Sequence, residues 1–380
     1  MADWAALRRG PLHAAHPDNS ASSRHRKSSL AAVAIFAVCG AGTAGLVVAR
    51  GPDGGKPTAA APAASKKTAL AATGLHIVPP ASLWHPSIFN TIVVDGVVQP
   101  PGVHETWPVL PNSSQYAADI VADYKSEYGA VGVNTDLATF EAPPKAHRVR
   151  VSVSPGCDNF IPDTGATAPI PSYASSGGST DTPLIVYQPS SGYEWEYWQA
   201  TKTSSGWSAC WGGRLHMTTS DGVFPFPYGL SASGISYLAT EITEADVASG
   251  SINHAVAMGI LNCNWPDYPK YVYPADRTDC GTHVGQPAEG QWFRFPPNLA
   301  MPSGLTPFAK MVFKAIQDYG AVITDQSADV TIYAEDPSDW AAEGNKGVDP
   351  ITKSWDGEQE YQVVANLPWG QLQSVVPPSP

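Results

Sequence analysis

The residues best suited to chemistry lie in a tryptophan-rich stretch, residues 193–217, in which carboxylates, a guanidinium group and indole rings alternate. In a strand running from residue 193 to residue 203, alternate side chains share a face, and this puts Glu194, Glu196 and Trp198 together. Carboxylates bind sugar hydroxyl groups, and an indole ring stacks on the apolar face of a pyranose. The pattern predicts a sugar-binding surface; the alternative is a solvated strand face whose tryptophans pack under a loop.

The return strand of this hairpin should add a cation to the same face. Closing the hairpin at residues 204–206 pairs Thr203 with Trp207, and in that register Glu196 lies opposite Arg214. This register holds if the Gly-Gly pair before Arg214 introduces no bulge. We therefore expect a cross-strand ion pair between Glu196 and Arg214.

A glycoside hydrolase needs two carboxyl groups about 5–9.5 Å apart that flank the scissile bond. Glu194 and Glu196 are about 6.6 Å apart along one strand, but both approach from the same side, which argues against this pair. Glu196 with a carboxylate from another segment, Asp279 or Asp325, fits the requirement better.

His254 is the alternative candidate base. It begins an alternating run that continues through Val256 and Met258 to Ile260, and this alternation predicts a core strand. A histidine at such a position is either a hydrogen-bonded structural residue or a group that titrates near neutral pH. The pattern favours the structural role and leaves the catalytic role open.

A second cluster of charges surrounds a cysteine in the segment "YPADRTDCGTH", residues 273–283. A loop fixed by a disulfide holds such groups rigidly, which favours a site formed by Arg277 and Asp279. A turn network of aspartate and arginine explains the same residues equally well. The acidic residues at 335–343 lack the order of an EF-hand loop, so calcium is a weak alternative there, and we expect no metal ion and no cofactor.

Several signatures of enzymes are absent from the sequence. The segment "GLSASG", residues 229–234, misses the G-x-S-x-G nucleophile elbow by one residue. The chain has no H-E-x-x-H zinc motif, no phosphate-binding loop and no G-x-G-x-x-G turn between a strand and a helix. These absences disfavour a serine hydrolase, a zinc protease and a nucleotide-dependent enzyme.

The cysteines indicate an oxidising compartment. Beyond Cys39, which lies in an apolar run, the chain has Cys157, Cys210, Cys263 and Cys280. No two of these have C-x-x-C spacing, so disulfides are favoured over zinc. Of the three connectivities we expect Cys263–Cys280 with Cys157–Cys210. The first pair would close a loop of about 16 residues, which stabilises the fold by about 3 kcal/mol.

The N-terminal residues indicate export. Basic residues in the segment 1–28 precede an uncharged run at 29–49, which at about 30 Å is as long as a bilayer's hydrocarbon core is thick. Cations before the run favour a cytoplasmic N-terminus. The run is either a retained transmembrane anchor or a cleaved signal peptide. Residues 50–74 have the composition of a flexible linker.

The charge of the exported part excludes one class of partner. Residues 74–380 contain 13 Lys and Arg against 31 Asp and Glu, a net charge of −18. A surface this negative repels phosphate backbones and anionic lipids. We therefore expect no nucleic-acid partner, and membrane contact only through the N-terminal helix.

The elements that must position these groups are mostly strands. Abundant Pro, Gly, Tyr and Trp predict short strands joined by sharp turns, and capping residues predict helices at 113–129, after Thr243 and from Thr306 to Gly320. We expect a small α/β segment at 75–156, either integral to the core or a separate lobe, and a β-rich domain at 157–380. The predicted core is sandwich- or jelly-roll-like, with two or three packing helices.

The tetrapeptide Tyr-Gly-Ala-Val occurs twice, at residues 128–131 and 319–322, each time after a predicted helix. About one four-residue match is expected by chance in a chain this long. A helix that ends at a left-handed glycine and continues into a strand explains the remaining similarity. We interpret the repeat as one structural device used twice; the alternative is an internal functional repeat.

An ordered set of segments, "WEYW", "WGGR", "SASG", "INHA", "RTD", "FRF" and "DYGAVITDQ", resembles a family of exported proteins of high-GC bacteria. The likeness spans about residues 185–326, with a weaker tail through "LPWGQLQ". It implies no reaction, because the family brings no established activity with it. Cys280 stands where the family pattern more often has Gly, so the likeness implies that the Cys263–Cys280 disulfide is a local addition. The matching polar positions are Glu196, Arg214, His254, Arg277, Asp279, Arg294 and Asp325.

Together these patterns predict a secreted or membrane-anchored carbohydrate-active protein, a glycoside hydrolase or a polysaccharide lyase, that acts on a polysaccharide or cell-wall glycan. The competing hypothesis is a non-catalytic envelope protein that binds a glycan or a protein. The catalytic candidates are Glu196, His254 and Asp325, and the substrate-binding candidates are Trp198, Arg214, Arg277, Asp279 and Arg294.

Overall fold

The computed structural model of the chain describes residues 92–94, 97–99 and 107–377, apart from residues 127, 128, 130, 218, 265–270, 282 and 284. The predicted cytoplasmic residues 1–28, the apolar run at 29–49 and the linker at 50–74 lie outside the described residues. In the described part of the chain, no helix is both long enough and apolar enough to cross a membrane.

The described residues form a mainly β fold with a few helices, which confirms the predicted class. The strands are β1 (Ile92–Val94), β2 (Val97–Gln99), β3 (Gly132–Leu137), β4 (Thr139–Glu141), β5 (Val149–Val153), β6 (Thr167–Ala168), β7 (Leu184–Gln188), β8 (Tyr193–Trp198), β9 (Thr201–Thr203), β10 (Gly206–Ala209), β11 (Trp211–His216), β12 (Val256–Ile260), β13 (Trp292–Arg294), β14 (Ala321–Gln326), β15 (Thr331–Glu335) and β16 (Gln373–Val375). The α-helices are α1 (Ser113–Ser126), α2 (Glu244–Ser249), α3 (Pro307–Asp318), α4 (Asp339–Ala342) and α5 (Pro350–Ser354), and a 3₁₀ helix covers Trp369–Gln371.

The largest sheet has six strands in the order β16–β13–β14–β12–β15–β3. β12 is parallel to β14 and β15 is parallel to β3, while the other neighbours are antiparallel. Parallel strands need long connections, and the connection between β3 and β15 holds α2 and α3. Phe308, Val312 and Ile316 of α3 are buried in the same core as Ile323 of β14.

Two four-stranded sheets have the orders β11–β8–β7–β4 and β6–β5–β10–β9, and β1 pairs with β2. β4 is parallel to β7, and β5 is parallel to β10. The three larger sheets are therefore mixed, whereas a jelly roll is built from antiparallel strands. Strands β3, β4 and β5, which precede residue 157, pair with strands of the later part of the chain.

The predicted helices are present, and their caps have the predicted form. The Thr306 hydroxyl accepts a hydrogen bond from the Ala309 amide at 3.1 Å, and a proline occupies the first position of α3. Thr243 and Asp246 form a reciprocal capping box at the start of α2, and Gly250 ends it in the left-handed conformation. Local side-chain chemistry therefore sets where these helices begin and end.

The glycines of the two Tyr-Gly-Ala-Val segments occupy equivalent places. The Gly129 amide donates to the Tyr124 carbonyl at 2.8 Å, and the Gly320 amide donates to the Ala315 carbonyl at 3.1 Å, five residues back in both cases. Both glycines have positive φ, 80° and 96°, a conformation that glycine adopts without steric cost. One follows α1 and leads to β3, and the other joins α3 to β14, which supports the structural interpretation of the repeat.

Residues 229–247 are buried throughout and run through the interior between two sheets. Tyr237 and Leu238 pack with Ile185 of β7 on one side and with Ala257 of β12 on the other. Backbone hydrogen bonds tie the segment to the six-stranded sheet, for example from the Ala257 amide to the Thr240 carbonyl at 2.8 Å. Because this buried segment is rich in polar side chains, it brings carboxylates and hydroxyls into the core.

Both expected disulfides, Cys157–Cys210 and Cys263–Cys280, are confirmed. The second links residues only 17 apart and fixes the segment that carries Arg277 and Asp279. Two disulfides in a β-rich fold are typical of an extracellular or secreted protein.

Candidate functional site

The register of the tryptophan-rich hairpin differs from the predicted one by a single residue. The turn is one residue shorter than expected, so Glu196 pairs with Gly213. A shift of one residue turns every side chain of a strand to the opposite face. The predicted ion pair is therefore wrong: Arg214 lies opposite Trp195, and its guanidinium carbon is 4.2 Å from the centre of the Tyr193 ring.

The first strand of this hairpin also ends earlier than predicted. Gln199 has a φ of 53°, which is rare for a residue with a β-carbon, and the break separates β8 from β9, which belong to different sheets. Trp198, the last residue of β8, stacks on Trp211 with ring centres 4.4 Å apart. Its indole nitrogen donates to Asp181 at 2.8 Å, so Trp198 is a half-buried, already packed residue.

Glu194 and Glu196 share a face, as predicted, but that face is the interior, where both side chains are 0% exposed. The Ser236 hydroxyl lies 3.2 Å from Glu194 Oε2 and 3.1 Å from Glu196 Oε1, and the Leu238 amide donates to Glu196 Oε1 at 3.1 Å. Burial and then the nearby Glu194 hold the pKa of Glu196 well above its usual range. Glu196 holds the buried segment in place, and no polysaccharide reaches it.

His254 is fully buried beside the capping box of α2. Its Nε2 lies 3.1 Å from Asp246 Oδ2, and its Nδ1 lies 2.8 Å from the Ala255 carbonyl. Burial alone would lower the pKa of His254, but the Asp246 carboxylate and the carbonyl together outweigh it and leave the pKa raised. These contacts favour the structural alternative for His254.

Two of the three predicted substrate-binding arginines are buried and hydrogen-bonded to the protein itself. Arg277 donates to the Phe224 carbonyl at 3.1 Å and to Asp276 at 3.0 Å, and Arg294 donates to Gln373 across β13 and β16 at 3.1 Å. A β-carbon added at Gly234 would lie 2.7 Å from Arg277 Nη1, so the glycine makes room for the guanidinium. Arg277 thus fixes the loop before the buried segment.

Asp279 and Asp325, in contrast, are brought together, and Glu289 joins them. Each of the three side chains offers a carboxylate oxygen, and these oxygens lie within 4.8 Å of one another. Asp325 projects from β14 and accepts hydrogen bonds from the Ala232 amide and the Tyr237 hydroxyl, both at 3.3 Å. The group is a compact cluster of three carboxylates against the buried segment.

Electrostatics within this cluster are dominated by negative charge. Burial and then the adjacent Asp279 and Asp325 raise the pKa of Glu289 well above its usual range, and the Thr278 hydroxyl offsets this only in part. The Thr278 hydroxyl is close enough to affect this pKa but does not reach hydrogen-bonding geometry, and neither carboxylate oxygen of Glu289 has a partner in that geometry. Glu289 is 0% exposed, whereas Asp279 is half-buried and lies towards solvent.

A cleft in the described part of the chain lies elsewhere, along strand β3, and has a volume of about 680 Å³. Its lining comes from β3, from Ser179, from the turn before β15 and from the segment around residue 360. None of the predicted site residues lines it. The polar and aromatic side chains in its wall are Asn134, Thr135, Asp136, Ser179, Asp329, Thr331, Glu360 and Tyr361.

Two carboxyl groups in the wall of this cleft are partly desolvated. Burial raises the pKa of Asp136, and hydrogen bonds from Ser179 offset part of that rise. Burial also raises the pKa of Asp329, which Glu360 raises further. The Asp136 carboxylate accepts the Ser179 amide at 2.8 Å and so holds one wall of the cleft.

The sequence thus identified two members of the carboxylate cluster and missed the third. Glu289 lies in an ordinary turn-like segment, "PAEGQW", three residues before β13, and nothing in the local pattern distinguishes it from other acids in turns. The cleft residues were missed because four segments far apart in the chain form the wall. Glu196, Trp198, Arg214, His254 and Arg294 lie apart from the cluster, each with its own partners.

Comparison of the chain with family models, with curated proteins and with solved structures gives no match in any of the three. The inference of function therefore depends on this geometry.

Proposed function

We propose that this protein is an extracytoplasmic glycan-binding protein and that the cleft along β3 is its binding surface. The observation that carries the proposal is the combination, in one hollow of about 680 Å³, of hydrogen-bonding side chains with the ring of Tyr361. That ring is 49% exposed. Cavities of about 300–1,000 Å³ are typical of small-molecule sites.

The chemistry of the wall fits sugar hydroxyl groups. Carboxylates such as Asp136 and Asp329 accept hydrogen bonds from hydroxyls, and the Asn134 amide both donates and accepts. The exposed face of Tyr361 offers an apolar surface for a pyranose ring, as aromatic side chains with one polar end do at interfaces.

The charge of the wall narrows the class of glycan. Asp136, Asp329 and Glu360 are acidic, and no Lys or Arg lines the described cleft. Like charges repel a polyuronate, so this wall favours a neutral or amino-sugar polymer and disfavours a polysaccharide lyase.

Binding is tested with the full chain, purified in detergent, by retention on columns of insoluble β-glucan, chitin and pectin. We expect retention on a neutral or amino-sugar polymer and a loss of about tenfold in affinity for Tyr361→Ala, because removal of a stacking ring costs about 1–2 kcal/mol. Tyr271→Ala is the matched control, since Tyr271 is 37% exposed outside the cleft. The proposal fails if no polymer retains the wild type, or if the control variant loses as much affinity as Tyr361→Ala.

A glycoside hydrolase is the second candidate, favoured by the raised pKa of both Asp136 and Asp329. A general acid works best when its pKa approaches the working pH. Release of reducing ends from the retained polymer would support hydrolysis. Asp136→Asn should then lower the rate by at least about a hundredfold while the retention on the column persists.

We also propose that the apolar run at 29–49 is kept as a membrane anchor with a cytoplasmic N-terminus. The length of the run and the basic residues before it support this arrangement. Sequencing the N-terminus of the mature protein tests it. A mature chain that begins within or after the run identifies a cleaved signal peptide instead.

A further inference from the structure

We propose that Asp279, Glu289 and Asp325 form a binding site for a divalent cation, calcium in the first place, separate from the cleft along β3. The three carboxylate oxygens lie within 4.8 Å of one another. Calcium binds oxygen ligands at about 2.3–2.6 Å, so one ion can touch oxygens that are up to about 5 Å apart. The spacing of these side chains therefore fits a single ion between them.

Glu289 supplies an independent observation. Its side chain is 0% exposed, and neither carboxylate oxygen has a donor in hydrogen-bonding geometry. A buried carboxylate is costly unless it is hydrogen-bonded, paired or bound to a metal. Its closest charged neighbours, Asp279 and Asp325, are also acidic. A cation between the three carboxylates would offset their mutual repulsion.

The arginine next to the cluster has several acceptors of its own. Arg277, two residues before Asp279, donates its guanidinium hydrogens to Asp276 and to the Phe224 carbonyl. It also bonds the carbonyls of Tyr228 and Ser231. These bonds hold the guanidinium against the loop before the buried segment.

The three ligands are held on well-fixed elements. Asp325 belongs to β14, and Glu289 is joined to the same strand by a hydrogen bond from the following amide, Gly290, to the Ile323 carbonyl at 2.8 Å. Asp279 precedes Cys280, whose disulfide with Cys263 also packs against Glu289. Ligand side chains that the fold already holds in position favour tight binding of the ion. Asp279 is half-buried and provides the entry from solvent.

The type of ligand atom determines which ion the site prefers. All three are hard carboxylate oxygens, and the two nearby sulfurs are already joined in a disulfide. Oxygen-only sites suit calcium or magnesium, whereas zinc prefers nitrogen and sulfur ligands. Calcium tolerates irregular geometry better than magnesium does, and it is the ion that extracellular modules bind at about 10⁻⁴–10⁻³ M.

Calorimetric titration of the full, chelator-treated chain with CaCl₂ tests the proposal, with MgCl₂ in a parallel titration. We expect one calcium ion per chain at this site and a rise of about 5 °C in Tm at a hundredfold excess over Kd. Glu289→Gln and Asp325→Asn should each weaken calcium binding by more than about tenfold. Glu335→Gln is the matched control, because Glu335 is an equally buried glutamate whose carboxylate accepts the Glu244 amide at 2.8 Å.

The wild-type titration decides the matter even if a variant fails to fold. No heat and no rise in Tm at up to about 5 mM calcium or magnesium, beyond the weakest range of extracellular sites, would overturn the proposal. Equal weakening by Glu289→Gln and by the Glu335→Gln control would also overturn it, because the ion would then not be held at this cluster. A stronger response to magnesium than to calcium would keep the site and contradict the assignment of calcium.

Discussion

Two buried acids in this protein, Asp246 and Glu289, show how differently a fold treats a carboxylate. Asp246 Oδ2 accepts hydrogen bonds from the Thr243 amide at 3.0 Å and the Thr243 hydroxyl at 2.7 Å, and it contacts His254 at 3.1 Å. Glu289 has no donor in hydrogen-bonding geometry and two acidic neighbours. Burial is the same in both places, 0% exposure. The presence of hydrogen-bond donors, rather than the degree of burial, distinguishes a structural acid from a candidate site.

Glu196 belongs with Asp246 in this comparison. It is buried and its pKa is raised, which are the two properties expected of a catalytic carboxyl. Yet Ser236 and Leu238 donate to it, and it faces the core. A raised pKa that comes from burial in a hydrogen-bonded interior therefore does not identify a catalytic residue.

Removing the well-bonded acid should have the largest effect. Asp246→Ala removes the carboxylate half of the capping box of α2 and leaves the buried His254 without that partner, so we expect a loss of about 3–4 kcal/mol in the free energy of unfolding. Urea denaturation of the full chain measures this loss. Asp246→Asn is the control, because it keeps an acceptor for the Thr243 amide. A loss below about 1 kcal/mol for the alanine variant would show that Asp246 is not a structural acid.

Glu244 is an intermediate case, buried and without a donor, and its carboxyl group is expected to take up a proton instead of an ion. Burial, and then Glu343 and Asp349, raise its pKa to about 9. Among the described residues, Glu244 is not part of a group of three ligand oxygens within 4.8 Å. The folded chain therefore holds a proton that the unfolded chain releases above the ordinary glutamate pKa of 4.5.

Stability should consequently fall as the pH rises from about 5 to about 9, with a slope of at most about 1.4 kcal/mol per pH unit from this group. Glu244→Gln should be more stable than the wild type by about 2 kcal/mol at pH 8 and should show a flatter dependence. Urea midpoints at pH 5, 6, 7 and 8 measure both. An unchanged slope in the variant would mean that Glu244 does not titrate over this range.

The smallest effect is expected for Glu196→Gln. Glutamine keeps one acceptor oxygen for the Ser236 hydroxyl and the Leu238 amide, and it has nearly the shape of the protonated acid. We expect a change below about 1 kcal/mol in unfolding free energy and unchanged retention on the glycan column. Glu196→Ala should instead cost about 3 kcal/mol, because it leaves a cavity and two unpaired donors. A loss of glycan binding by the glutamine variant at unchanged stability would return Glu196 to the functional site.

The sequence predicted the features that local chemistry determines. Thr306, Thr243 and the glycines that follow the helices are caps, and caps act on the turn of helix next to them. The disulfide pairing of Cys263 with Cys280 was also within reach, since the shortest loop forms most readily. These features depend on a few neighbouring residues, and they are present in the structure.

The features that were missed depend on register and on distant contacts. β8 ends before Gln199, which has a left-handed conformation that the residue types of the strand do not predict. The turn that follows is one residue shorter than expected, and this moves Arg214 to the other face. Glu289 meets Asp325 only through the folding of the six-stranded sheet. A sequence shows that acidic residues are present, but the hydrogen-bond donors that stabilise a buried carboxylate can come from any part of the chain.

The partners of the early strands and helices imply an order of assembly. β3 pairs with β15, about two hundred residues later, and the Ser374 amide donates to the Ser113 hydroxyl across 261 residues. Such separations make closure of the central sheet slow and nearly all-or-none. Until β15 has been synthesised, the growing polypeptide lacks the strand with which β3 pairs. The earlier part of the chain therefore cannot complete the six-stranded sheet by itself. A chain with this strand connectivity is suited to being exported across a membrane in the unfolded state and to folding afterwards.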